Sequence, residues 1–285
     1  MAYALIHTER GLYCARGVRP ETVWREWRVV EKTAETDEVV TFRLKRTDDR
    51  LVRTSLPGQY VTVQVPMPDG VRQPRQYSLT RADDGEHRQF AVKRVRGGDG
   101  PDGEVSNHLC DKVDIGDVLT LSLPFGDVVL DDSRPAVFAS AGIGITPMAG
   151  MLSHLAAAGS QLPVTLLHAD ADENSFALRH QVLDDLRSLP GSGAHVWYER
   201  GGEHSLPFEA HAGTMDLDDV KLPDDALYYL CGPLPFMQAV RSSLVERGVA
   251  PRDIQYEVFG PDLWQADLAS EETPGASDRS GRHSA

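Results

Sequence analysis

Apolar and polar residues alternate with a period of two through much of the first half of the chain. The segment from Tyr60 to Val65 alternates strictly, as a strand does when one of its faces is buried. Similar short segments recur at roughly ten-residue spacing between Trp24 and about Pro124, separated by turn residues such as Asp69-Gly70. Because about six such strands follow one another, the pattern predicts a six-stranded antiparallel barrel.

The pattern changes after Pro124. Short apolar segments, such as Ala136 to Ser140 and Val164 to His168, now alternate with segments of helical periodicity, such as Met148 to Ala158. Strands of this kind are buried on both faces, and the helices between them connect one strand to the next. The second half therefore predicts a doubly wound parallel sheet, and the fold class is β followed by α/β.

A separate amphipathic segment precedes the predicted barrel. The pair Leu5-Ile6 recurs seven residues later as Leu12-Tyr13, which is the spacing of an apolar stripe along a helix. We therefore predict one helix over residues 2 to 15, docked most economically on the barrel. The four expected parts of the chain are an N-terminal helix within residues 1–20, a barrel over residues 22–130, an α/β domain over residues 131–265 and a disordered tail over residues 266–285.

The charge of the chain limits its partners. Its 285 residues carry a formal net charge of −14, with 41% apolar and 25% charged residues, an ordinary composition for a globular protein. An acidic chain is repelled by nucleic acid and by anionic membrane, so neither is an expected partner. The sequence contains no apolar segment long enough to span a bilayer and no pattern of a signal peptide.

The cysteines are few and far apart. Cys14, Cys110 and Cys231 offer neither the spacing of metal ligands nor a disulfide framework, which is typical of a protein from the reducing cytoplasm. We expect no metal site. Three thiolates are also too few for an ordinary iron–sulfur cluster, which takes four.

Candidate chemistry begins with Arg75-Gln76-Tyr77-Ser78, at the end of an extended segment that starts at Gly58-Gln59-Tyr60. The tyrosine offers a flat apolar face, the serine offers a hydroxyl, and the arginine offers a cation that can form two parallel hydrogen bonds to a phosphate. A planar ring bearing a phosphate group would use all three. By itself, such a segment is more often an ordinary strand that has one polar face.

Glycine-rich turns supply a second group of candidates. Gly142-Ile143-Gly144 lies between a predicted strand and a helix, where backbone N–H groups can approach a pyrophosphate. Pro147 stands where the usual fingerprint has a third glycine, which is acceptable near a helix start. Cys231-Gly232-Pro233 ends another predicted strand, so both turns should meet at the carboxyl edge of one sheet. Turns that bind no ligand remain the alternative.

A third candidate is the segment Gly103 to Ser106. It combines a glycine, a predicted helix start and a hydroxyl, which together suit an anion. Ser106 is the predicted N-cap residue of that helix. A capped helix without a ligand explains the segment equally well.

Taken together in chain order, these segments resemble the flavin reductase module of flavohaemoglobins, within the ferredoxin–NADP reductase superfamily. The resemblance covers roughly residues 22 to 265. The segments that carry it are Arg75 to Ser78, Gly103 to Leu109, Ala141 to Met148, Tyr229 to Met237 and Tyr256 to Pro261. One departure is Val258, which stands where many relatives have cysteine.

The resemblance implies an FAD-binding barrel and an NAD(P)-binding sheet, with a hydride passed between them. Tyr77 is then expected to stack on the isoalloxazine and Ser78 to lie near its N5 atom. Glu257 would orient the two rings or relay a proton, unless it only caps the flavin edge; these three are the predicted catalytic residues. The cofactor-binding residues implied in addition to Tyr77 and Ser78 are Gln59, Tyr60, Arg75, Gln76, Gly103, Val105, Ser106, Gly142, Gly144, Thr146, Pro147, Cys231, Gly232, Pro233 and Phe259.

The resemblance also implies a function. We expect an FAD-dependent NAD(P)H oxidoreductase that passes single electrons to a separate acceptor protein, either a haem protein or an iron–sulfur protein. The N-terminal segment resembles the last helix of the globin in this family, but some fifteen residues cannot enclose a haem. Nitric oxide dioxygenation with a globin supplied in trans is therefore one alternative, and a non-catalytic flavin redox sensor is another. NADH and NADPH are not distinguished, although Arg179 and Arg200 are candidates for contact with a 2′-phosphate.

Overall fold

A computed structural model describes residues 3–8, 11–16, 23–48, 50–67, 70, 72–97, 102–200 and 209–259 of the chain, with backbone only for residues 3–16. Within those ranges it has fourteen strands, four α-helices and three short 3₁₀ turns. No helix in these ranges has both the length and the apolar composition needed to cross a membrane. The tail over residues 266–285, predicted to be disordered, lies outside the described residues.

The N-terminal segment is a hairpin. Strands β1 (Tyr3–Thr8) and β2 (Gly11–Arg16) pair antiparallel, with Thr8 opposite Gly11. The predicted helix over residues 2 to 15 is therefore wrong. A seven-residue repeat that spans a turn also fits two paired strands, and Gly11 disfavours a continuous helix by about 1 kcal/mol relative to alanine.

The predicted barrel is confirmed as a six-stranded antiparallel sheet. Its strands are β3 (Arg25–Ala34), β4 (Val39–Arg46), β5 (Tyr60–Pro66), β6 (Arg72–Ser78), β7 (His87–Lys93) and β8 (Val118–Leu121), in the order β6-β5-β8-β3-β4-β7. A bridge between Leu79 and Phe90 joins the two edge strands and closes the sheet. The valines at positions 61, 63 and 65 are at most 1% exposed, because the alternation of β5 turns them all inward.

One helix, α1 (Glu104–Lys112), lies between β7 and β8 in the sequence and covers the barrel core with Val105 and Leu109. Its N-cap is Gly103. The prediction of Ser106 as the N-cap is therefore wrong, because the helix begins about one turn earlier.

The second sheet is parallel throughout, as predicted. Its strands are β9 (Ala136–Ala141), β10 (Val164–Asp170), β11 (Gly193–Tyr198), β12 (Glu209–Ala212), β13 (Leu227–Cys231) and β14 (Ile254–Glu257), in the order β12-β11-β10-β9-β13-β14. Helices α2 (Ile145–Ala157) and α3 (Arg179–Ser188) pack on one face, and α4 (Leu234–Glu246) packs on the other. Helix α2 begins at Ile145, three residues before its predicted start.

The two sheets meet through α2 and α3. A Cβ atom at Gly150 of α2 would collide with the carbonyl oxygen of Leu79, so this helix lies directly on the end of β6. Two hydrogen bonds cross the same boundary: Ala82 N–H donates to Ser153 Oγ at 3.1 Å, and Gln181 Nε2 donates to the Thr80 carbonyl at 2.5 Å. The end of β6 is thus held against the helices of the parallel sheet.

Candidate active site

The end of β6 presents a buried hydroxyl. The register of the β5–β6 pair sets Ser78 opposite Tyr60, and Ser78 is only 4% exposed. Its Oγ atom has no hydrogen-bond partner among the described residues. An unpaired buried hydroxyl costs about 1–3 kcal/mol, so a ligand atom that bonds to it removes this cost.

The neighbouring Tyr77 is held by the barrel core. Its ring stacks on that of Phe90, with centroids 5.2 Å apart and planes 16° from parallel, and the residue is half-buried. Burial raises the pKa of the Tyr77 phenol well above its ordinary value, with a smaller contribution from Cys110. Tyr77 is therefore a neutral, rigidly held aromatic whose hydroxyl keeps its proton.

Arg75 offers a cation on the same strand. Its guanidinium donates to the Pro74 carbonyl at 2.8 Å and to Gln73 Oε1 at 3.1 Å, and no carboxylate pairs with it in the part of the chain that the structure describes. Gln73 in turn donates to Glu104 Oε2 at 2.7 Å. The arginine and the first turn of α1 are thus linked through one glutamine.

The first turn of α1 needs glycine at its cap. A Cβ atom at Gly103 would collide with Ser106 Oγ and with the Val95 side chain. No side chain caps the helix, since the Ser106 hydroxyl donates to the Gly103 carbonyl at 3.3 Å. The side chain of Val105 is buried in the barrel core, which leaves only its backbone N–H for a ligand. Uncapped N–H groups at a helix start favour an anion.

Gln59 and Tyr60 shape the entrance to β5. Gln59 Oε1 accepts a hydrogen bond from Leu56 N–H at 2.9 Å, and its carbonyl accepts one from Leu79 N–H at 2.9 Å. The Tyr60 ring lies over Gly126, whose positive φ of 124° favours glycine. Gln76 is exposed beside them, opposite Thr62.

Two glycines are needed at the end of β9 for different reasons. Gly142 adopts the left-handed conformation, with φ of 52°, whereas a Cβ atom at Gly144 would collide with the backbone of Cys231 and Gly232. The two predicted turns are therefore in direct contact. Thr146 Oγ1 donates to the Ile143 carbonyl at 2.9 Å, which holds the start of α2 in place.

Cys231 lies at the centre of the carboxyl edge. It pairs with Ser140 of β9 and with Glu257 of β14, and it is fully buried. Burial raises the pKa of its thiol well above the ordinary value, and Glu257 raises it further. The sulfur is therefore a neutral, compact and polarisable neighbour of the site, and the thiolate needed for nucleophilic attack is disfavoured.

Three other predicted residues flank this point. Pro147 is buried in the first turn of α2, and Pro233 is the N-cap residue of α4. Phe259 is the last described residue and is 36% exposed. Gly260 and Pro261, which belong to the predicted terminal segment, lie outside the described residues.

The barrel group and the sheet group lie at one interface. Gly144 contacts Cys231 just before α2 begins, and Gly150 of the same helix contacts Leu79, the residue after Ser78. Six residues of α-helix span about 9 Å. The end of β6 and the carboxyl edge of the parallel sheet are therefore about that far apart along α2.

A cleft of about 500 Å³ opens between the two sheets, within the size range of ligand pockets. The barrel lines it with Thr36 to Val39, Lys93 and Arg96, and the sheet with Gly142, Ile143, Asp170 to Asp172, Asn174, Ser175, Ala177 and Arg200. Asp172 pairs with Arg200 at 2.7 Å. The two aspartates were not predicted from the sequence, although carboxylates at the end of a buried parallel strand are a signal for the ribose end of a dinucleotide.

An antiparallel barrel and a doubly wound sheet that share a cleft define an FAD- and NAD-binding oxidoreductase of the ferredoxin reductase type. Comparison with known families agrees. Residues 26–129 match the oxidoreductase FAD-binding domain family, and residues 138–242 match the oxidoreductase NAD-binding domain family.

Comparison with individual proteins is more specific. The chain is 41% identical over 272 residues to the flavohemoprotein of Bordetella pertussis, an alignment that covers 91% of this chain and 67% of that protein. A crystal structure of the flavohem-like FAD/NAD-binding domain of nitric oxide dioxygenase from Vibrio cholerae is 35% identical, with a TM-score of 0.77 over 83% of this chain and 99% of that one. Phthalate dioxygenase reductase is 25% identical, with a TM-score of 0.66 over 84% of this chain and 69% of that one. The chain belongs to the flavohemoprotein family, of which it carries the reductase part.

Proposed function

We propose that this chain takes a hydride from NAD(P)H onto FAD and releases the electrons one at a time to a separate haem or iron–sulfur protein. The observation that carries the proposal is the buried, unpartnered hydroxyl of Ser78, beside Tyr77 and about 9 Å along α2 from the Cys231 turn. A hydride transfer needs two ligands held ring to ring at such an interface.

The barrel residues fit FAD. The Tyr77 ring supplies a rigid apolar surface for the isoalloxazine, and the Ser78 hydroxyl is free to bond to a ring nitrogen. Arg75 and the uncapped start of α1 suit the two phosphates. When bound, the flavin supplies the change from two-electron to one-electron transfer, while the protein supplies alignment and exclusion of water.

The sheet residues fit a nicotinamide dinucleotide. The turn at Gly142 and Gly144 brings backbone N–H groups to the carboxyl edge without a side chain in the way. Cys231 gives the nicotinamide a small neutral neighbour, and Glu257, paired with it across β13 and β14, orients the rings or relays a proton. The remaining cofactor-binding residues would shape the walls of the two sites.

Two relatives support the proposed class of electron acceptor. Phthalate dioxygenase reductase is described as transferring electrons from pyridine nucleotides to a [2Fe–2S] centre, and a flavohemoglobin of Malassezia yamatoensis is described with bound FAD and heme. Haem and [2Fe–2S] groups each accept one electron at a time. A haem or iron–sulfur acceptor is therefore the class we propose for this chain.

The test is anaerobic reduction. Purified protein should show a flavin spectrum that bleaches within seconds when NADH or NADPH is added without air. Ser78→Ala should slow bleaching on the order of 100-fold, because one positioned hydrogen-bond donor is lost. Ser188→Ala, which removes an exposed hydroxyl at the end of α3, is the matched control. A bound flavin that no nicotinamide reduces would contradict the proposal and indicate a redox sensor.

A further inference from the structure

Three metal-ligand side chains meet at the far edge of the parallel sheet. His195 lies on β11, and Glu209 and His211 lie on the edge strand β12. The register sets His195 opposite Glu209 and Trp197 opposite His211. Because side chains two residues apart share a face of a strand, all of these groups project from one face of the sheet.

The distances between the ligand atoms suit a metal ion. His195 Nδ1 is 3.1 Å from Glu209 Oε2 and 3.2 Å from His211 Nε2, and the three residues offer ligand atoms that all lie within 4.8 Å of one another. Zinc bonds of 2.0–2.1 Å in tetrahedral geometry place ligand atoms about 3.3 Å apart. In the described part of the chain, this is the only group of three such side chains.

Hydrogen bonds explain the close approach of these three side chains less well than a metal ion does. A proton on His195 Nδ1 points toward either Glu209 or His211, so a single N–H serves one of the two close contacts fully. Without that proton, the Nδ1 lone pair faces the Glu209 carboxylate. A cation among the three atoms satisfies all of them.

The surroundings hold the ligands and leave one side open. Trp197 is buried and stacks on the His211 ring, with centroids 4.7 Å apart and planes 18° from parallel, and the two imidazoles stack at 5.5 Å and 20°. The Glu209 side chain is 73% exposed. The imidazoles are thus oriented by packing, while an ion and a water ligand have access from solvent.

We propose that His195, Glu209 and His211 bind a divalent transition-metal ion, of which zinc fits best, with water as the fourth ligand. Two imidazoles and one carboxylate are a ligand set that zinc accepts in proteins, and imidazole also suits copper and nickel. The group lies on the α4 side of the sheet, as the packing of Trp197 shows, and contributes nothing to the cleft lining. The metal would fasten β12, which pairs only with β11 in the described sheet.

The test is zinc binding to tag-free holoprotein that has been treated with a chelator. Calorimetric titration with ZnCl₂ should give one saturable site. His211→Ala should weaken zinc binding on the order of 100-fold, since loss of even an indirect metal contact costs 10- to 100-fold. His180→Ala, which removes an exposed histidine on α3, should leave the affinity unchanged. Cobalt(II) should produce visible d–d bands that His211→Ala removes.

Folding of the variants is controlled separately. Glu209→Ala changes a mostly exposed side chain at the rim, so it should fold normally and still lose most of the affinity. Zinc should raise the Tm of the wild type and fail to raise that of Glu209→Ala. Absence of a saturable site in the wild type, or equal affinity in the wild type and in both ligand variants, would overturn the proposal. Neither outcome depends on whether nicotinamide reduces the flavin.

Discussion

The barrel side and the sheet side of the candidate site differ in the atoms they offer a ligand. On β6 these are side-chain groups: the Tyr77 ring, the Ser78 hydroxyl and the Arg75 guanidinium. At the carboxyl edge of the sheet they are backbone groups in turns that exclude side chains, above all at Gly144. Ligand binding on the barrel side therefore depends on side-chain functional groups, whereas on the sheet side it depends on the absence of side chains from the turns.

This difference predicts opposite sensitivities. Removing the Arg75 guanidinium or the Ser78 hydroxyl from the barrel side should lower ligand affinity while leaving the fold intact, because the Arg75 side chain is exposed and the Ser78 hydroxyl has no partner among the described residues. Adding a single carbon to the sheet side should damage both affinity and stability, because the turn at Gly144 packs against the Cys231 backbone.

The largest effect is expected from Gly144→Ala. The new Cβ atom would meet the backbone of Cys231 and Gly232, which cannot rotate away, so we expect a loss of about 3 kcal/mol in the free energy of unfolding, together with weaker nicotinamide binding. Gly142→Ala is the matched control. No atom lies within 4 Å of the position that its Cβ atom would take, and only the left-handed φ of 52° opposes it, at about 1 kcal/mol. Urea unfolding and NADH titration measure both; equal losses in the two variants would contradict the assignment of close packing to Gly144.

Arg75→Ala tests the opposite sensitivity. Loss of a charged hydrogen-bond donor to phosphate should cost about 1.5–3 kcal/mol of FAD affinity, or roughly 10- to 150-fold, with little change in stability, because the side chain is exposed. Arg72→Ala removes an exposed arginine from the same strand and is the control. Flavin fluorescence quenching measures the affinity. A large loss of stability in Arg75→Ala would show that the two sides of the candidate site do not differ as described.

The sequence predicted those parts of the molecule that follow from local pattern. Strict alternation located β5, and apolar segments located β9 and β10. The four-residue edge strands β12 and β14 were missed as elements, since they are too short for a periodic signal. The prediction of an N-terminal helix was wrong because a seven-residue repeat of apolar pairs is compatible with a helix and also with a hairpin.

The same limit applies to the functional sites. Glycine turns and the Arg75–Ser78 segment are contiguous in sequence and were recognised, although the roles of their residues stay predictions. The group of His195, Glu209 and His211 depends on the register of two strands. The expectation of no metal site rested on the spacing of the cysteines alone. Histidines that are far apart in the sequence give no signal of a shared site until the strands are paired.

Residues on the sheet side also predict which dinucleotide is preferred. Asp170 and Asp172 line the cleft, Arg200 is paired with Asp172 at 2.7 Å, and Arg179 is paired with Glu173. Both arginines are paired with carboxylates, and the two aspartates are negatively charged. The 2′-phosphate of NADPH would therefore be repelled, so we expect NADH to be preferred over NADPH.

Asp172→Ser tests this preference. Serine keeps the cap of the short 3₁₀ turn, which Asp172 now provides by accepting from Ser175 N–H, and it frees Arg200. The ratio of kcat/KM for NADH to that for NADPH should fall about tenfold, or ~1.4 kcal/mol. Asp184→Ser, at an exposed aspartate paired with Arg187, should leave the ratio unchanged. A wild type that prefers NADPH would contradict the argument.

The smallest effect concerns the boundary between the two regions. Burial of Asp185 on α3 raises the pKa of its carboxyl from 3.8 to about 6, while Arg81 on the barrel side opposes the shift. Because the folded state holds this proton more tightly than the unfolded chain, its stabilising contribution is complete below pH 4 and is lost as the pH rises through about 6. At pH 7 the ionised carboxylate therefore destabilises the folded protein. Asp185→Asn should raise the free energy of unfolding at pH 7 by about 1 kcal/mol after allowance for solvent screening.

That gain should shrink as the pH falls from 6 to 4, since protonation then gives the wild type the same neutral group as asparagine. Urea unfolding at several pH values measures the difference. Asp219→Asn is the matched control, since this exposed aspartate lies outside α3, does not contribute to the shift at Asp185 and should show no gain at pH 7. A gain for Asp185→Asn that stays constant with pH would mean that side-chain shape, and not the buried charge at this boundary, sets the stability of the contact between α3 and the barrel.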